Sequence, residues 1–163
     1  RLLPPLSTPF LKVFYIKKAH LATIKAQDIA LSGKAELLTD KYGMTYIDNI
    51  SNLGGEGSLT VSVPQDGDYR VTLLYANNSE GGVHSYNVDL IERYVSVETN
   101  GIEQDVFCRN TYSNYNYRTV TFNLQLNKGE NLITLTNSGN TVFHNMEAFA
   151  PQIGEISINA LSY

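Results

Sequence analysis

The feature that most limits this chain is a period of two between apolar and polar residues, broken at short intervals by turn residues. Ser58 to Val63 (SLTVSV) alternates cleanly. Pro64-Gln65-Asp66-Gly67 then sets Pro and Gly where a β-turn favours them, and Tyr69 to Tyr75 reads as the return strand. Tyr94 to Thr99 alternates again and ends at Asn100-Gly101, a strong hairpin signal. Thr119 to Leu126 puts Val120, Phe122, Leu124 and Leu126 on one face. Asn127 to Glu130 turns the chain into Asn131 to Thr136, and Ile153 to Ala160 reads as a last strand. No window keeps i, i+3, i+4 apolar spacing over three turns, so any helix is short. Short strands with turns every 8–12 residues predict an all-β fold, a sandwich or jelly roll, with function carried by its edges and loops.

The 163 residues are enough for one domain with a full core and no disulfide staple. Three of the five prolines lie in residues 1–10 (RLLPPLSTPF), so residues 1–22 read as a linker or N-terminal strap and 23–163 as the sandwich. Within that strap FLKVFYI (10–16) suits a strand, and Lys17 to His20 a polar exit from it. The chain starts at Arg1, shows no secretory leader, and is expected to come from a longer polypeptide. A net charge of −4 argues against binding to a phosphate backbone, and no apolar run approaches the length of a membrane span. No nucleic acid and no membrane are therefore expected as partners.

Chemistry is as informative by its absence. There is no G-x-S-x-G elbow, H-E-x-x-H pair, P-loop or G-x-G-x-x-G run. His20, His84 and His144 lie far apart, and the acidic residues are scattered through turns and strand edges. Glycoside hydrolysis needs two carboxylates facing one bond, and no pair is selected. The single Cys108, flanked by Val106 and Phe107, reads as a buried small hydrophobe. Eleven Tyr, sixteen Asn and no Trp form the strongest bias. Asn fills turns in any β protein, but Tyr and Asn together in loops also make stacking and hydrogen-bonding surfaces that suit sugars. Two glycosylation sequons, at Asn49 and Asn77, complete the inventory.

Four stretches in order resemble carbohydrate-binding module family 35, and more loosely families 6 and 36. They are IKAQDIALSGKAELLTDKYGMTYIDNI (24–50), GSLTVSVPQDGDYRVTLLYANN (57–78), YNVDLIERYVSVETNG (86–101) leading into CRNTYSNYNYRTVTFNLQLNKGENLITLTNSGN (108–140), and APQIGEISI (150–158). The flavour is that of modules appended to α-galactosidase-like glycoside hydrolases. The resemblance implies a secreted, non-catalytic galactose-binding-like sandwich, with an oligo- or polysaccharide ligand and an attached catalytic domain. Such modules open with a Glu-x-Glu pair and close with an Asp that together hold a structural calcium. The matching positions here are Lys25, Gln27 and Gly154, so no metal or other cofactor is expected, with the Lys25 ammonium standing in for the ion.

The same resemblance locates the ligand site. A Trp platform of the family falls at Asn114, with Tyr112, Tyr115 and Tyr117 beside it. A Tyr serves as a smaller platform with its own hydroxyl. Tyr42 and Tyr46 come from a loop bordering the family's site, and Asn77, Arg109, Asn110 and Asn137 supply candidate polar partners. Arg109 pairing with Glu98 or Glu103 is the plainer alternative. Thr141 to Phe149 reads as an enlarged loop, an extra strand or a helical turn. Two rival readings stand beside sugar binding. One is a degenerate module that packs against protein through residues 2–16. The other is a jelly-roll lyase or hydrolase, for which His144 with Tyr115 is the pairing to inspect.

Overall fold

The computed structural model describes residues 17–84, 87–139 and 148–162. The FLKVFYI segment, Tyr86, His144 and most of the 141–149 loop lie outside them. The described residues form two antiparallel sheets and a small hairpin. The first sheet holds β1 (Lys17–Lys25), β3 (Glu36–Thr39), β4 (Thr45–Asp48), β6 (Gly67–Ala76), β11 (Arg118–Leu126) and β13 (Gln152–Ser162), in the order β11-β6-β13-β4-β3 with β1 also on β13. The second holds β2 (Ala30–Gly33), β5 (Gly55–Val63), β9 (Arg93–Thr99), β10 (Ile102–Cys108) and β12 (Gly129–Thr136), in the order β10-β9-β12-β5-β2. A separate hairpin pairs β7 (Glu80–His84) with β8 (Asn87–Leu90). Between β1 and β2 the described residues make one 3₁₀ turn, Ala26–Asp28.

The alternation read from the sequence becomes the sandwich core. Leu59, Val61 and Val63 of β5 face Val71 and Leu73 of β6, with Val95, Val97, Ile133, Leu135, Ile156 and Ile158 filling the layer between the sheets. Burial of a Val, Leu or Ile side chain is worth about 1.5–3 kcal/mol, so this layer is the main driving force of the fold. Asn100 and Gly101 have φ of 53° and 78°, the left-handed pair that a tight β9–β10 hairpin requires. Tyr69, Tyr75 and Tyr94 are buried as strand residues should be, and the Tyr69 hydroxyl donates to the Gln65 carbonyl (2.7 Å), closing the turn at the sandwich corner.

One boundary differs. β1 starts at Lys17, so residues 17–22 belong to the first sheet and not to a strap ending at 22; Lys17 pairs with Ser162 and Lys25 with Glu155. The alternation of β1 is interrupted by a bulge between His20 and Ala22, which hides its period from the sequence.

Cys108 is fully buried, and burial pushes its thiol from 9.0 up to about 12, with Glu92 adding to the rise. The folded state therefore keeps a proton that the unfolded state releases near pH 9. The associated stability is complete below pH 9 and is lost as the pH rises toward 12. Urea unfolding across pH 8–10.5 is expected to show this fall, and Cys108→Ala to flatten it. Equal slopes for both chains would contradict it.

Candidate functional site

The ends of β4, β6, β9 and β13 converge at one end of the sandwich and enclose a hollow of about 220 Å³. Asp48, Asn49, Ala76, Asn77, Asn78, Arg93, Asn114, Phe149 and Gln152 line it. This is small beside the ~300–1,000 Å³ of a drug-sized site and suits a single sugar ring. Both sheets contribute: Arg93 opens β9 in one, while Asp48 closes β4 and Gln152 opens β13 in the other.

The polar groups of the hollow are held in place from behind. The Arg93 guanidinium donates through Nη1 to the Ala150 carbonyl (3.1 Å) and lies 5.6 Å from the centre of the Phe149 ring. Burial lowers its pKa, and the nearby Asp48 carboxylate works in the opposite direction. Asp48 Oδ1 accepts the Asn49 N–H (2.8 Å), and its Oδ2 lies 3.4 Å from Gln152 Nε2. Gln152 Oε1 is buried without a hydrogen-bond partner among the described residues. Asn49 is in the left-handed region, φ 61°, which turns the chain sharply at the rim. The side-chain amides of Asn49, Asn78 and Asn114 make no hydrogen bond among the described residues and are the uncommitted amides of the lining.

The loop that brings Asn114 to the hollow continues into an aromatic pair. Tyr42 and Tyr115 meet edge to face, centroids 5.4 Å apart at 86°, and are 73% and 50% exposed. The Lys41 ammonium lies 5.0 Å and 4.6 Å from the two ring centres, a cation–π arrangement that holds the rings together. Asp40 sets the loop beneath them, its Oδ1 accepting the N–H groups of Tyr42 (2.8 Å) and Met44 (2.9 Å). Asn114 precedes Tyr115 in the chain, so the 109–117 loop contributes to both the hollow and the pair. Tyr112 is also exposed and carries φ of 63°, an uncommon conformation for a large side chain.

The residues expected to bind divide sharply. Tyr42 and Tyr115 come together in the open. Tyr46, half-buried in β4, has its phenol pKa raised by burial first and then by Asp48 and Asp40. Tyr117 points its hydroxyl inward, where it is buried without a hydrogen-bond partner among the described residues, and burial pushes its pKa up to about 12; the residue as a whole is half-buried. Asn77 lines the hollow, but its amide is spent. Nδ2 donates to the carbonyls of Ile91 (2.8 Å) and Cys108 (3.1 Å), and Oδ1 accepts the Ser79 N–H (3.0 Å). At 2% exposure it is also out of reach as a glycosylation sequon. Asn110 donates to the Ser79 carbonyl and accepts the Tyr112 N–H. Asn137 is buried, donates to the Tyr94 carbonyl and accepts the Gly139 N–H; it borders a different hollow, with Ser32 and Glu56. Arg109 is exposed and 3.8 Å from Glu92 rather than Glu98 or Glu103, a contact worth little.

Sequence reasoning did not name Asp48, Asn49, Asn78, Arg93 or Gln152 as candidate binding residues. The available signal was position: a polar residue at the end of an apolar strand faces the loops.

No family model matches the chain, and no curated protein does. Solved structures do. A family 35 carbohydrate-binding module from Clostridium thermocellum is 29% identical, with a TM-score of 0.67 over 86% of this chain and 99% of that one. A family 35 module from Paenibacillus barcinonensis is 17% identical, TM-score 0.65, covering 85% of this chain and 98% of that one. An exo-β-1,3-galactanase from Phanerochaete chrysosporium is 22% identical with a TM-score of 0.65; the match spans 84% of this chain but only 29% of the galactanase. The fold is that of a carbohydrate-binding β-sandwich module. The modules it resembles are those of family 35.

Proposed function

We propose that this chain is a non-catalytic carbohydrate-binding module that holds one sugar ring in the hollow between Asp48, Arg93 and Asn114 and supports the neighbouring part of the glycan on Tyr42 and Tyr115. The observation that carries this reading is the juxtaposition of uncommitted amides, Asn78 and Asn114, with an exposed aromatic pair. Sugar recognition needs both: amides or charges for vicinal hydroxyls, and a ring for the C–H face. Arg93 faces Asp48 across the same hollow, so the lining carries little net charge and favours a neutral ring over a uronate. A galactose-containing glycan is the class proposed.

The described lining residues include one carboxylate, Asp48, and two would be needed for hydrolysis of a glycosidic bond. Binding without cleavage serves an attached enzyme through effective concentration, for which millimolar to micromolar affinity suffices. Attachment to a secreted glycoside hydrolase belongs to this proposal. No helix among the described residues is long and apolar enough to cross a membrane.

Titration calorimetry with galactose, β-1,3-galactan oligomers, galactomannan, xylan and galacturonate tests the reading. Saturable heat with a neutral galactose-containing ligand is expected, strengthening with chain length as the tyrosines are engaged. A folded sample giving no heat with any of them would overturn sugar binding.

A further inference from the structure

We infer that an apolar plug, Met44 seated beside Gly154, pins the 40–45 loop to β13 at the place where the family this chain resembles uses a structural calcium ion. The inference goes beyond glycan binding and does not depend on it.

Lys25, Gln27 and Gly154 are distant in sequence, yet they line one hollow of about 290 Å³ together with Gly43, Met44, Thr45 and Glu155. The sheet register explains their meeting. Lys25 lies opposite Glu155, a bulge between Ile153 and Glu155 carries Gly154, and the 3₁₀ turn after Lys25 brings Gln27 to the same end. The family's three ligand positions thus converge here, but their chemistry has changed.

The donor set does not fit a hard cation. Calcium takes six to eight oxygens, several of them from carboxylates. This lining offers the single carboxylate of Glu155, and the Lys25 ammonium repels a cation. Among the described residues no group of three or more His, Cys, Asp or Glu side chains is placed to hold a metal. The nearby Asp40 is engaged within its own loop, accepting from Tyr42 and Met44.

The point beside Gly154 at the wall of this hollow is occupied as well. A Cβ on Gly154 would stand 2.6 Å from Met44 Cε, 3.4 Å from Leu74 Cδ2 and 3.6 Å from Tyr117 Cε1. An aspartate at 154 and the Met44 methyl would therefore compete for one point. Met is suited to such an irregular gap because its three rotatable bonds let it follow the walls. Lys25 lines the same hollow, exposed on β1, and its side chain bonds to no described residue. The methionine is what replaces the ion.

Thermal unfolding of the full chain in excess calcium and in excess chelator tests this, with parent and Met44→Ala side by side. A resident ion present at a hundred times its Kd would raise the midpoint by roughly 5–10 °C. The two parent midpoints are expected to coincide, and a fall of that size in chelator would overturn the inference. Met44→Ala is expected to lower the midpoint by several degrees in both buffers, and Met44→Leu to recover most of the loss. A Met44→Ala midpoint equal to the parent's would overturn the plug.

Discussion

Asn77→Ala is expected to remove about 3–5 kcal/mol of folding stability, and any loss of glycan binding it causes should follow from unfolding. Three side-chain hydrogen bonds disappear with the amide. Each leaves a buried or half-buried backbone group of Ile91, Cys108 or Ser79 without its partner, at about 1–3 kcal/mol apiece before water partly compensates. The Asn77 backbone is itself bound to Thr111, whose N–H donates to the Asn77 carbonyl (2.6 Å) and whose hydroxyl accepts the Asn77 N–H (3.0 Å). The residue therefore ties the end of β6 to the loops that follow β8 and β10. Against a total of ~5–15 kcal/mol for a domain, this is a large fraction. Urea unfolding followed by circular dichroism measures it. A variant with parental stability and abolished binding would instead make Asn77 a direct ligand group.

The opposite pattern is expected of Asn114→Ala combined with Tyr115→Ala. Asn114 makes no hydrogen bond within the described chain, and half of Tyr115 is exposed, so stability should change by little more than the Tyr42 edge contact, about 0.5–1.5 kcal/mol. Binding loses a hydroxyl partner and a ring face. Together these amount to about 2–3 kcal/mol, or roughly 30- to 150-fold in affinity. For a module of modest affinity that takes the titration below detection. Retained affinity in the double variant would remove the tyrosine platform from the site.

These two predictions mark what the sequence can and cannot disclose. The layers were readable because Leu59, Val61, Val63, Val71 and Leu73 obey a period that only a half-buried strand needs. Strands β2, β3 and β4 were not placed as strands from the period, since they are four residues long and lie at or near sheet edges, where the period is too short to register. The asparagines misled for a physical reason. An amide that grips a sugar and an amide that ties a loop use the same donor and acceptor, and composition does not separate them. Asn131 shows the second use plainly: it donates to the Asn127 and Gly129 carbonyls and accepts from Asn100. Tyr115 and Tyr117 differ by two residues and sit in one loop, yet one is exposed and the other turns toward Gly154, where Met44 and Leu74 also pack, a difference that rests on tertiary packing. Arg93 escaped notice because the carboxylate whose field acts on it, Asp48, comes from the other sheet, forty-five residues earlier in the chain.

The most direct test of glycan capture at this end of the sandwich is a backbone-amide NMR titration with a galactan oligosaccharide. Shifts should concentrate at Lys41–Tyr42, Asp48–Asn49, Asn78, Arg93, Tyr112 to Tyr115 and Gln152, and saturate together. Amides that stay unmoved there while the ligand binds elsewhere, or no saturable shift with any neutral galactose-containing glycan, would contradict it.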